Sequence, residues 1–311
     1  MRILVVGAGA TGGYFGGRLA QAGRDVTFLV RSARAETLRS GGLQILSPTG
    51  EVSIKPQVAT ADALAAMGHF DVIILSVKAF SLVPALDDLA PAVGPDTVIV
   101  PLLNGMRHFE VLSQRFGDRA VVGGLCRINS TVDDRGRIVH FSPLHELWYG
   151  ERDGSRSPRI LRLDETLGGA GFDARLTDAI EEKLWEKWTL LATIGGITCL
   201  MRGNLGEVAR APGGTEFSLR FFNEVLAIVE AAGHRPSDAF VAEIQGWLRQ
   251  KDSVQTTSMY RDLGQGNPVE ADQILGDLGL RARGLGVKTP LLDAAYANLC
   301  VYQVRRDAAN C

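Results

Sequence analysis

The first half of the chain alternates short apolar runs with helical patterns. Apolar runs of strand length occur at Ile3–Val6, Val26–Val30, Val72–Val77 and Thr97–Leu103, as expected for strands that are covered on both faces. Between the first two runs, Tyr14–Gln21 predicts a helix. This alternation is typical of βαβ units in a mostly parallel sheet. The pattern therefore predicts an α/β domain.

The pattern changes along the second half. Residues 123–149 mix strand and turn signals, with a hairpin turn expected at 133–136, and the polar stretch 151–158 predicts an exposed loop. Beyond Asp173 strand runs disappear. Helices are predicted at 178–200, 215–232, 237–250, 268–283 and 290–304. We therefore predict an α/β domain over residues 1–172 and an all-helical domain over residues 173–311.

A glycine-rich turn directly follows the first predicted strand and opens the first helix. Its sequence is Gly7-Ala8-Gly9-Ala10-Thr11-Gly12. In that setting the first glycine permits a tight turn, the second lets the backbone approach a pyrophosphate, and the third lets the helix pack closely on the strand. The helix N-terminus offers unpaired N–H groups to phosphates. A chain with 36 glycines can contain this spacing by chance, so its place between strand and helix is what predicts a dinucleotide site in a Rossmann-type domain.

The residue after the second strand indicates which dinucleotide is bound. In NAD-specific folds an acidic residue near the end of that strand accepts hydrogen bonds from the ribose hydroxyls. Here Val30 is followed by Arg31, with Arg34 nearby. A guanidinium suits a phosphate and cannot replace a carboxylate acceptor, so Arg31 favours the 2′-phosphate of NADP. The alternative is that Arg31 is an ordinary solvated arginine.

Two further polar residues follow apolar runs, Lys78 after Ile73–Val77 and Asn104 after Val98–Leu103. Ligands of open α/β sheets lie outside the carboxyl ends of the strands. We therefore expect Arg31, Lys78 and Asn104 to line one crevice with the glycine turn. Any one of them alone could be a loop residue, because strands commonly end in polar residues.

A lysine in the helical half lies at the edge of an apolar face. Helical spacing puts Lys187 on one stripe with Leu191, with Ile194 or Gly195, and with Thr198. Such a lysine can extend its ammonium to water. If it lines a crevice it can instead have a lowered pKa and donate a proton. Position alone leaves both interpretations open.

Composition narrows the classes of partner. The 311 residues are 46% hydrophobic and 22% charged, and 33 Lys and Arg against 35 Asp and Glu leave a formal net charge of −2. This is ordinary globular usage, without the basic excess that favours nucleic acid or an anionic membrane. A small-molecule substrate is therefore the expected partner. The apolar stretches are shorter than the roughly 18 residues of a membrane span, and we expect a soluble, cytoplasmic protein.

Neither the cysteines nor the histidines have a metal-site spacing. The four cysteines, at 126, 199, 300 and 311, include no C-x-x-C pair, which fits a reducing compartment. His140 and His145 are separated by a Ser-Pro break and are expected at the surface or in loops. We therefore predict no metal site.

Taken together, the motifs resemble the ketopantoate reductase (2-dehydropantoate 2-reductase) family over nearly the whole chain. Their order and spacing carry the resemblance, including the interval between Ser258 and Glu270. The matching segments are Gly7–Gly12, Leu29-Val30-Arg31, Ser76-Val77-Lys78-Ala79, Asn104-Gly105-Met106, Leu184-Trp185-Glu186-Lys187, Thr257-Ser258-Met259 and Val269-Glu270-Ala271-Asp272.

The resemblance implies an NADPH-binding Rossmann domain and a helical domain, with the active site in the cleft between them. It implies reduction of 2-dehydropantoate to pantoate, a step of pantothenate biosynthesis. A homodimer is compatible with it. The implied roles are proton donation and substrate contact for Lys187, cofactor and substrate contact for Asn104, substrate contact for Ser258, and cofactor contact for Gly7, Ala8, Gly9, Ala10, Thr11, Gly12, Arg31, Lys78, Asn129 and Glu270.

One departure from the family leaves the substrate open. Ketopantoate reductases usually carry asparagines one and two turns after the lysine, where they hold the substrate, and this chain has Leu191 and Gly195 there. Leaving a substrate polar group unpaired typically costs about 1 to 3 kcal/mol. A different 2-oxo acid or ketone is therefore the alternative to 2-dehydropantoate. A non-catalytic NADP-binding sensor is a further alternative, against which the retention of Lys187, Ser258 and Glu270 argues.

Overall fold

The structure, a computed structural model, describes residues 1–309, which pack into two compact units. One unit comprises Met1–Leu103 and His108–Glu181. The other comprises Asn104–Arg107 and the chain from Glu182 onward. The division after Glu181 lies nine residues beyond the boundary that the pattern predicted.

The strands form two sheets, both in the first unit. The five-stranded parallel sheet has the order β5-β2-β1-β6-β7, and the other has the order β10-β9-β3-β4 with β8 paired to β9. The strands are β1 (Arg2–Val6), β2 (Asp25–Leu29), β3 (Leu43–Leu46), β4 (Val52–Ile54), β5 (Gln57–Ala59), β6 (Phe70–Leu75), β7 (Val93–Pro101), β8 (Gly123–Val132), β9 (Ile138–Gly150) and β10 (Asp173–Leu176).

The parallel sheet confirms the strands predicted from the apolar runs. In register, Val6 of β1 pairs with Leu29 of β2 and with Leu75 of β6. The carboxyl ends of these three strands are therefore level. The residues that follow them, including Gly7, all leave the sheet at this one edge.

The helices of the first unit cover the sheets. The predicted helix at 14–21 begins four residues earlier, at Ala10. The α-helices that begin before Ile180 and pack with these sheets are α1 (Ala10–Gln21), α2 (Ser32–Gly41), α3 (Ala61–Leu64), α4 (Leu82–Leu89), α5 (Arg107–Phe116) and α6 (Pro158–Leu167).

Two consecutive glycines let α1 pack between the sheets. A Cβ on Gly16 would lie 2.7 Å from Phe28 of the parallel sheet, and one on Gly17 would lie 2.7 Å from Leu43 of the other sheet. Neither position has room for a side chain without movement of its neighbours. The close packing holds the N-terminus of α1 at the carboxyl end of β1.

The second unit is helical in the described residues. The predictions at 178–200, 215–232 and 237–250 are confirmed within two residues, and the last helix continues to Ala309. The segment predicted as one helix at 268–283 begins with a π-helical turn, Asp272–Gly276. The helices are α7 (Ile180–Met201), α8 (Leu205–Arg210), α9 (Gly214–Ala231), α10 (Asp238–Arg249), α11 (Ser258–Gly264), α12 (Asp277–Gly284) and α13 (Pro290–Ala309).

The prediction that strands disappear beyond Asp173 was wrong for four residues. Strand β10 pairs in parallel with β9, with Asp173 opposite Glu146 and Leu176 opposite Tyr149. A segment this short has too few residues for a period to stand out. The fold class is nevertheless confirmed, with a Rossmann-type parallel sheet first and helices after it.

The expectation that His140 and His145 are surface or loop residues was also wrong. Both lie on β9, and His140 is 3% exposed. The hydroxyl of Tyr14 on α1 is hydrogen-bonded to Nδ1 of His145 at 2.7 Å, and Ser47 Oγ is hydrogen-bonded to Nδ1 of His140 at 2.8 Å. The Ser-Pro break between them produces a register shift in the hairpin rather than a loop.

Neither a membrane-spanning helix nor a metal-binding cluster is present within residues 1–309. No helix there combines the length and the apolar character that crossing a bilayer requires. In the same residues no cluster of three or more His, Cys, Asp or Glu side chains has a geometry that could hold a metal ion.

Candidate functional site

The glycine turn is held in place by the two strands beside β1. Gly7 has φ +94°, a conformation that favours glycine, and its N–H donates to the Leu29 carbonyl at 3.0 Å. On the other side, the Ser76 hydroxyl is within hydrogen-bonding distance of the carbonyls of Val6 (3.0 Å) and Gly7 (3.1 Å). The backbone of the turn is therefore held from both neighbouring strands before any ligand binds.

The glycines of the turn fit a bound dinucleotide phosphate. A Cβ on Gly12 would lie 1.9 Å from Ser76 Oγ and 2.2 Å from the Gly7 carbonyl oxygen, so only glycine fits. A Cβ on Gly9 would meet nothing within 4 Å, which leaves open space over the turn. Gly9 is also the N-cap of α1 and no side chain caps this helix end. The first N–H groups of α1 can therefore bind phosphate oxygens.

Two arginines follow β2 and they differ in their partners. Arg31 is the exposed N-cap residue of α2, and its guanidinium has no hydrogen bond or ion pair within residues 1–309. Arg34 is half-buried and its Nη2 donates to the carbonyls of Ala8 (3.2 Å) and Gly136 (3.1 Å). Desolvation by burial lowers the pKa of Arg34. Arg34 is thus already hydrogen-bonded to the glycine turn, whereas the guanidinium of Arg31 is available to bind a ligand.

Lys78 and Asn129 lie on elements next to the glycine turn. Lys78 is exposed and follows β6, whose end is level with that of β1. Asn129 is exposed on β8, and its Nδ2 donates to Ser142 Oγ at 3.4 Å. The next residue, Ser130, donates from Oγ to the carbonyl of Ala10 at 3.3 Å. This unit therefore gathers Lys78 and Asn129 around the turn, together with Arg31.

Asn104 packs within the second unit, against the segment that contains Glu270. Asn104 Nδ2 donates to Glu270 Oε2 at 3.4 Å, and Glu270 is 6% exposed. Gly105 has φ +77°, and a Cβ there would lie 2.5 Å from the carbonyl oxygen of Gln273. The tight turn at Asn104–Gly105 thus packs against the π-helical turn itself, which contains Gln273. Single π-helical turns inside helices are frequent at functional sites.

Lys187 lies on α7 beside a residue that ties this helix to the π-helical turn. The neighbouring Trp188 is 1% exposed, and its Nε1 donates to the carbonyl of Ile274 at 2.9 Å. Lys187 itself is half-buried, and its ammonium has no hydrogen bond or ion pair within the described part of the chain. The hydrogen bond of Trp188 therefore fixes α7 against the π-helical turn, while the ammonium of Lys187 is available to bind a ligand.

Ser258 lies where α11 begins, against α7 two turns after Lys187. A Cβ on Gly195 would lie 2.9 Å from Met259 Cε and 3.5 Å from Thr257 Oγ1. These two residues flank Ser258, which is half-buried. In the second unit, α7 thus provides Lys187, contacts the beginning of α11 and is fastened to the segment that follows Glu270.

Sequence reasoning missed two positioning residues of this arrangement. In the sequence Ser76 stands out only as part of a motif, yet its hydroxyl fixes the glycine turn. Arg34 stands out only as a neighbour of Arg31, yet it joins the turn to the hairpin at Gly136. A small polar residue directly after β6 is a signal that could have indicated Ser76. Nothing local indicates the partner of Arg34, which is 102 residues away.

Comparison with known proteins gives consistent results over the whole chain. Residues 3–154 match the family model for ketopantoate reductase PanE/ApbA, and residues 179–303 match the model for its C-terminal domain. The chain is 37% identical to the uncharacterized oxidoreductase YkpB of Bacillus subtilis, over 98% of this chain and 100% of that protein. It is 31% identical to 2-dehydropantoate 2-reductase of Mesorhizobium japonicum, over 96% of each. The crystal structure of 2-dehydropantoate 2-reductase from Methylococcus capsulatus superposes with a TM-score of 0.86 at 28% identity, covering 98% of each chain.

Proposed function

Because the chain belongs to the ketopantoate reductase family, as its motifs predicted, we propose that it reduces a 2-oxo acid to the 2-hydroxy acid with NADPH, using Lys187 as the proton donor. Membership makes the protein an oxidoreductase that uses a nicotinamide cofactor and acts on a small oxo acid. The choice of NADPH, the roles of individual residues and the identity of the acid are the parts that we propose.

The preference for NADPH rests on Arg31, the first of the two arginines after β2. A 2′-phosphate needs a cation that is not already paired, and Arg31 meets that condition at the end of the strand where an NAD-specific fold carries a carboxylate. Arg34 supports the glycine turn instead, through the carbonyl of Ala8. Lys78 adds a further exposed positive charge at the same sheet edge.

In the proposed reaction the cofactor, when bound, supplies the hydride that adds to the carbonyl carbon of the substrate. Lys187 donates a hydrogen bond from Nζ to the carbonyl oxygen and transfers a proton to it as negative charge develops. It regains a proton from water after product leaves. Asn104, whose amide is already oriented by Glu270, and Ser258 hold the substrate so that its carbonyl faces Lys187.

The unpaired ammonium of Lys187 is the single observation that carries the proton-donor role. Lys183, one turn earlier on the same helix, is already paired, since its Nζ lies 2.8 Å from Glu186 Oε2. Lys187 is half-buried and has no such partner within residues 1–309. A cation that is partly desolvated and unpaired is prepared to interact with a substrate oxygen.

The test is NADPH oxidation by the purified protein with a panel of 2-oxo acids that includes 2-dehydropantoate. We expect turnover with at least one acid, and faster turnover with NADPH than with NADH at equal concentration. Tight NADPH binding without turnover across the panel would instead support the sensor alternative. Reduction of 2-dehydropantoate would support the proposed place in pantothenate biosynthesis. Homodimer formation and a cytoplasmic location stay predictions.

A further inference from the structure

The face of α7 that carries Lys187 presents only apolar positions over the next two turns. At helical spacing after Lys187 come Leu190, Leu191, Ile194 and Gly195. Leu190 and Leu191 are half-buried, and Ile194 is 5% exposed. A molecule that touches the Lys187 ammonium therefore meets hydrocarbon on the adjoining surface of this helix.

The beginning of α11 adds little polar surface beside that face. Met259, which lies over Gly195, is 2% exposed. Thr257 is 8% exposed, and its hydroxyl accepts the N–H of Tyr260 at 3.3 Å. Ser258, between them, is half-buried and its hydroxyl has no partner within residues 1–309. Ser258 and Lys187 are thus two polar groups of this part of the unit that have no partner within residues 1–309.

These two groups match the polar groups of a 2-oxo acid. Its carboxylate and its carbonyl oxygen accept hydrogen bonds from Ser258 and Lys187, with the amide of Asn104 as a further group. An additional hydroxyl that lies against this face of α7 would meet the half-buried side chain of Leu191, which cannot replace the hydrogen bond that the hydroxyl made to water. An unpaired polar group costs about 1 to 3 kcal/mol.

From this arrangement we propose that the preferred substrate is a 2-oxo acid with a branched hydrocarbon side chain that carries no hydroxyl, and that Leu191 is the residue that sets this preference. The proposal rests on the proposed reductase function and specifies its substrate class. It distinguishes this chain's preferred acid from 2-dehydropantoate, which carries a hydroxyl at its fourth carbon.

The experiment compares two acids of nearly equal shape, 2-dehydropantoate and 3,3-dimethyl-2-oxopentanoate, which has a methyl group in place of that hydroxyl. We expect kcat/KM with NADPH to be about 10- to 100-fold higher for the hydrocarbon acid, in line with the selectivity of apolar pockets against hydroxyl isosteres. Equal values, or a higher value for 2-dehydropantoate, would overturn the substrate proposal while the reductase function stands. Failure to oxidise NADPH or NADH with either acid and with every other 2-oxo acid of the panel would overturn the function, and the substrate proposal with it.

A substitution at Leu191 tests whether this residue sets the preference. Leu191→Asn adds an amide at the half-buried position one turn after Lys187, and we expect the ratio of the two kcat/KM values to move about tenfold toward 2-dehydropantoate. Leu200→Asn is the matched control, because Leu200 is a half-buried leucine on another face of the same helix. Its ratio should equal that of the unmodified protein. An unchanged ratio in Leu191→Asn, or the same shift in both variants, would show that Leu191 does not set the preference.

Gly195 is a poorer position for this test. A Cβ there would be 2.9 Å from Met259 Cε, so any side chain must first displace that methionine. A change of activity in a Gly195 variant would mix the new polar group with the movement of α11. The ratio measured in Leu191→Asn is free of this complication, and as a ratio it is unaffected by any loss of folded protein.

Discussion

The hydroxyl of Ser76 and the α-carbon of Gly12 are so close that a methyl group on Gly12 would lie 1.9 Å from the hydroxyl oxygen. This contact joins the end of β6 to the first turn of α1. The Ser76 hydroxyl also holds the carbonyls of Val6 and Gly7. The shape of the dinucleotide turn is thus set by packing within the unit.

The first prediction compares a tightly packed glycine of the turn, Gly12, with one that faces open space, Gly9. Gly12→Ala should lower the free energy of unfolding by about 1 to 3 kcal/mol, because the methyl group also collides with the backbone oxygen of Gly7, which cannot rotate away. Gly9→Ala should leave the unfolding free energy within about 0.5 kcal/mol and still weaken NADPH binding, since its methyl group enters only the space over the turn. Urea unfolding without cofactor and fluorescence titration with NADPH measure the two effects. Equal losses of stability in both variants would contradict this account.

The second prediction concerns cofactor choice. Arg31→Ala should weaken NADPH binding about 10- to 100-fold and leave NADH binding nearly unchanged, because a charged hydrogen bond to phosphate is worth about 1.5 to 3 kcal/mol. Arg34→Ala should weaken the binding of both cofactors by the same factor, because it releases the carbonyls of Ala8 and Gly136. Binding constants for both cofactors with both variants decide this. If Arg31→Ala weakened NADH binding equally, the assignment of NADPH would be wrong.

The third prediction concerns the proton donor. Lys187→Ala should lower kcat about 100- to 10,000-fold, the usual contribution of a general acid, and leave NADPH affinity unchanged. Lys183→Ala serves as the control on the same helix, because Lys183 is already paired with Glu186. Steady-state rates on the best acid of the panel give the comparison. Should the Lys183 variant lose as much kcat as the Lys187 variant, proton donation by Lys187 would be excluded.

The fourth prediction is a loss of stability in mild acid. Desolvation by burial is the main cause that lowers the pKa of both His140 and His145. The charge of His140 further lowers the pKa of His145, and Arg18 lowers both, while the Leu144 carbonyl, Asp173 and Glu146 oppose the shift. The unfolded chain therefore binds protons more readily than the folded chain as the pH falls below the ordinary histidine value of about 6.5. The unfolding free energy should be constant above that pH and should decrease below it, until the lowered pKa values are passed.

Urea unfolding at about pH 7.5 and about pH 5.5 measures this difference. In His140→Gln the difference should shrink, because one of the two buried imidazoles is absent, although the variant is less stable at both pH values. The slope with pH is thus a readout separate from the general loss of packing. A difference as large as in the unmodified protein would show that other groups cause the acid sensitivity.

Much of the first unit could be predicted because its signals are local. A strand covered on both faces must be apolar, and a turn that meets a phosphate must contain glycine, so β1, the glycine turn and α1 are evident in the first 21 residues. Three long helices of the second unit, α7, α9 and α10, were predicted to within two residues, whereas α13 extends five residues beyond its predicted end. The short elements β10, α8 and α11 were missed because they have too few residues for a hydrophobic period to stand out.

By itself the sequence determined the fold class, the kind of cofactor site and the family, because these depend on short patterns whose physical cause lies within a few neighbouring residues. Only the tertiary structure decided which polar groups are already paired. Asn104 meets Glu270 across 166 residues, and Arg34 meets Gly136 across 102, while Arg31 and Lys187 have no such partner within residues 1–309. Hydrogen bonds between distant segments depend on how the chain folds back on itself. A local sequence pattern does not show which distant segments meet. The candidate residues could therefore be named from the sequence, whereas their availability to a ligand could not.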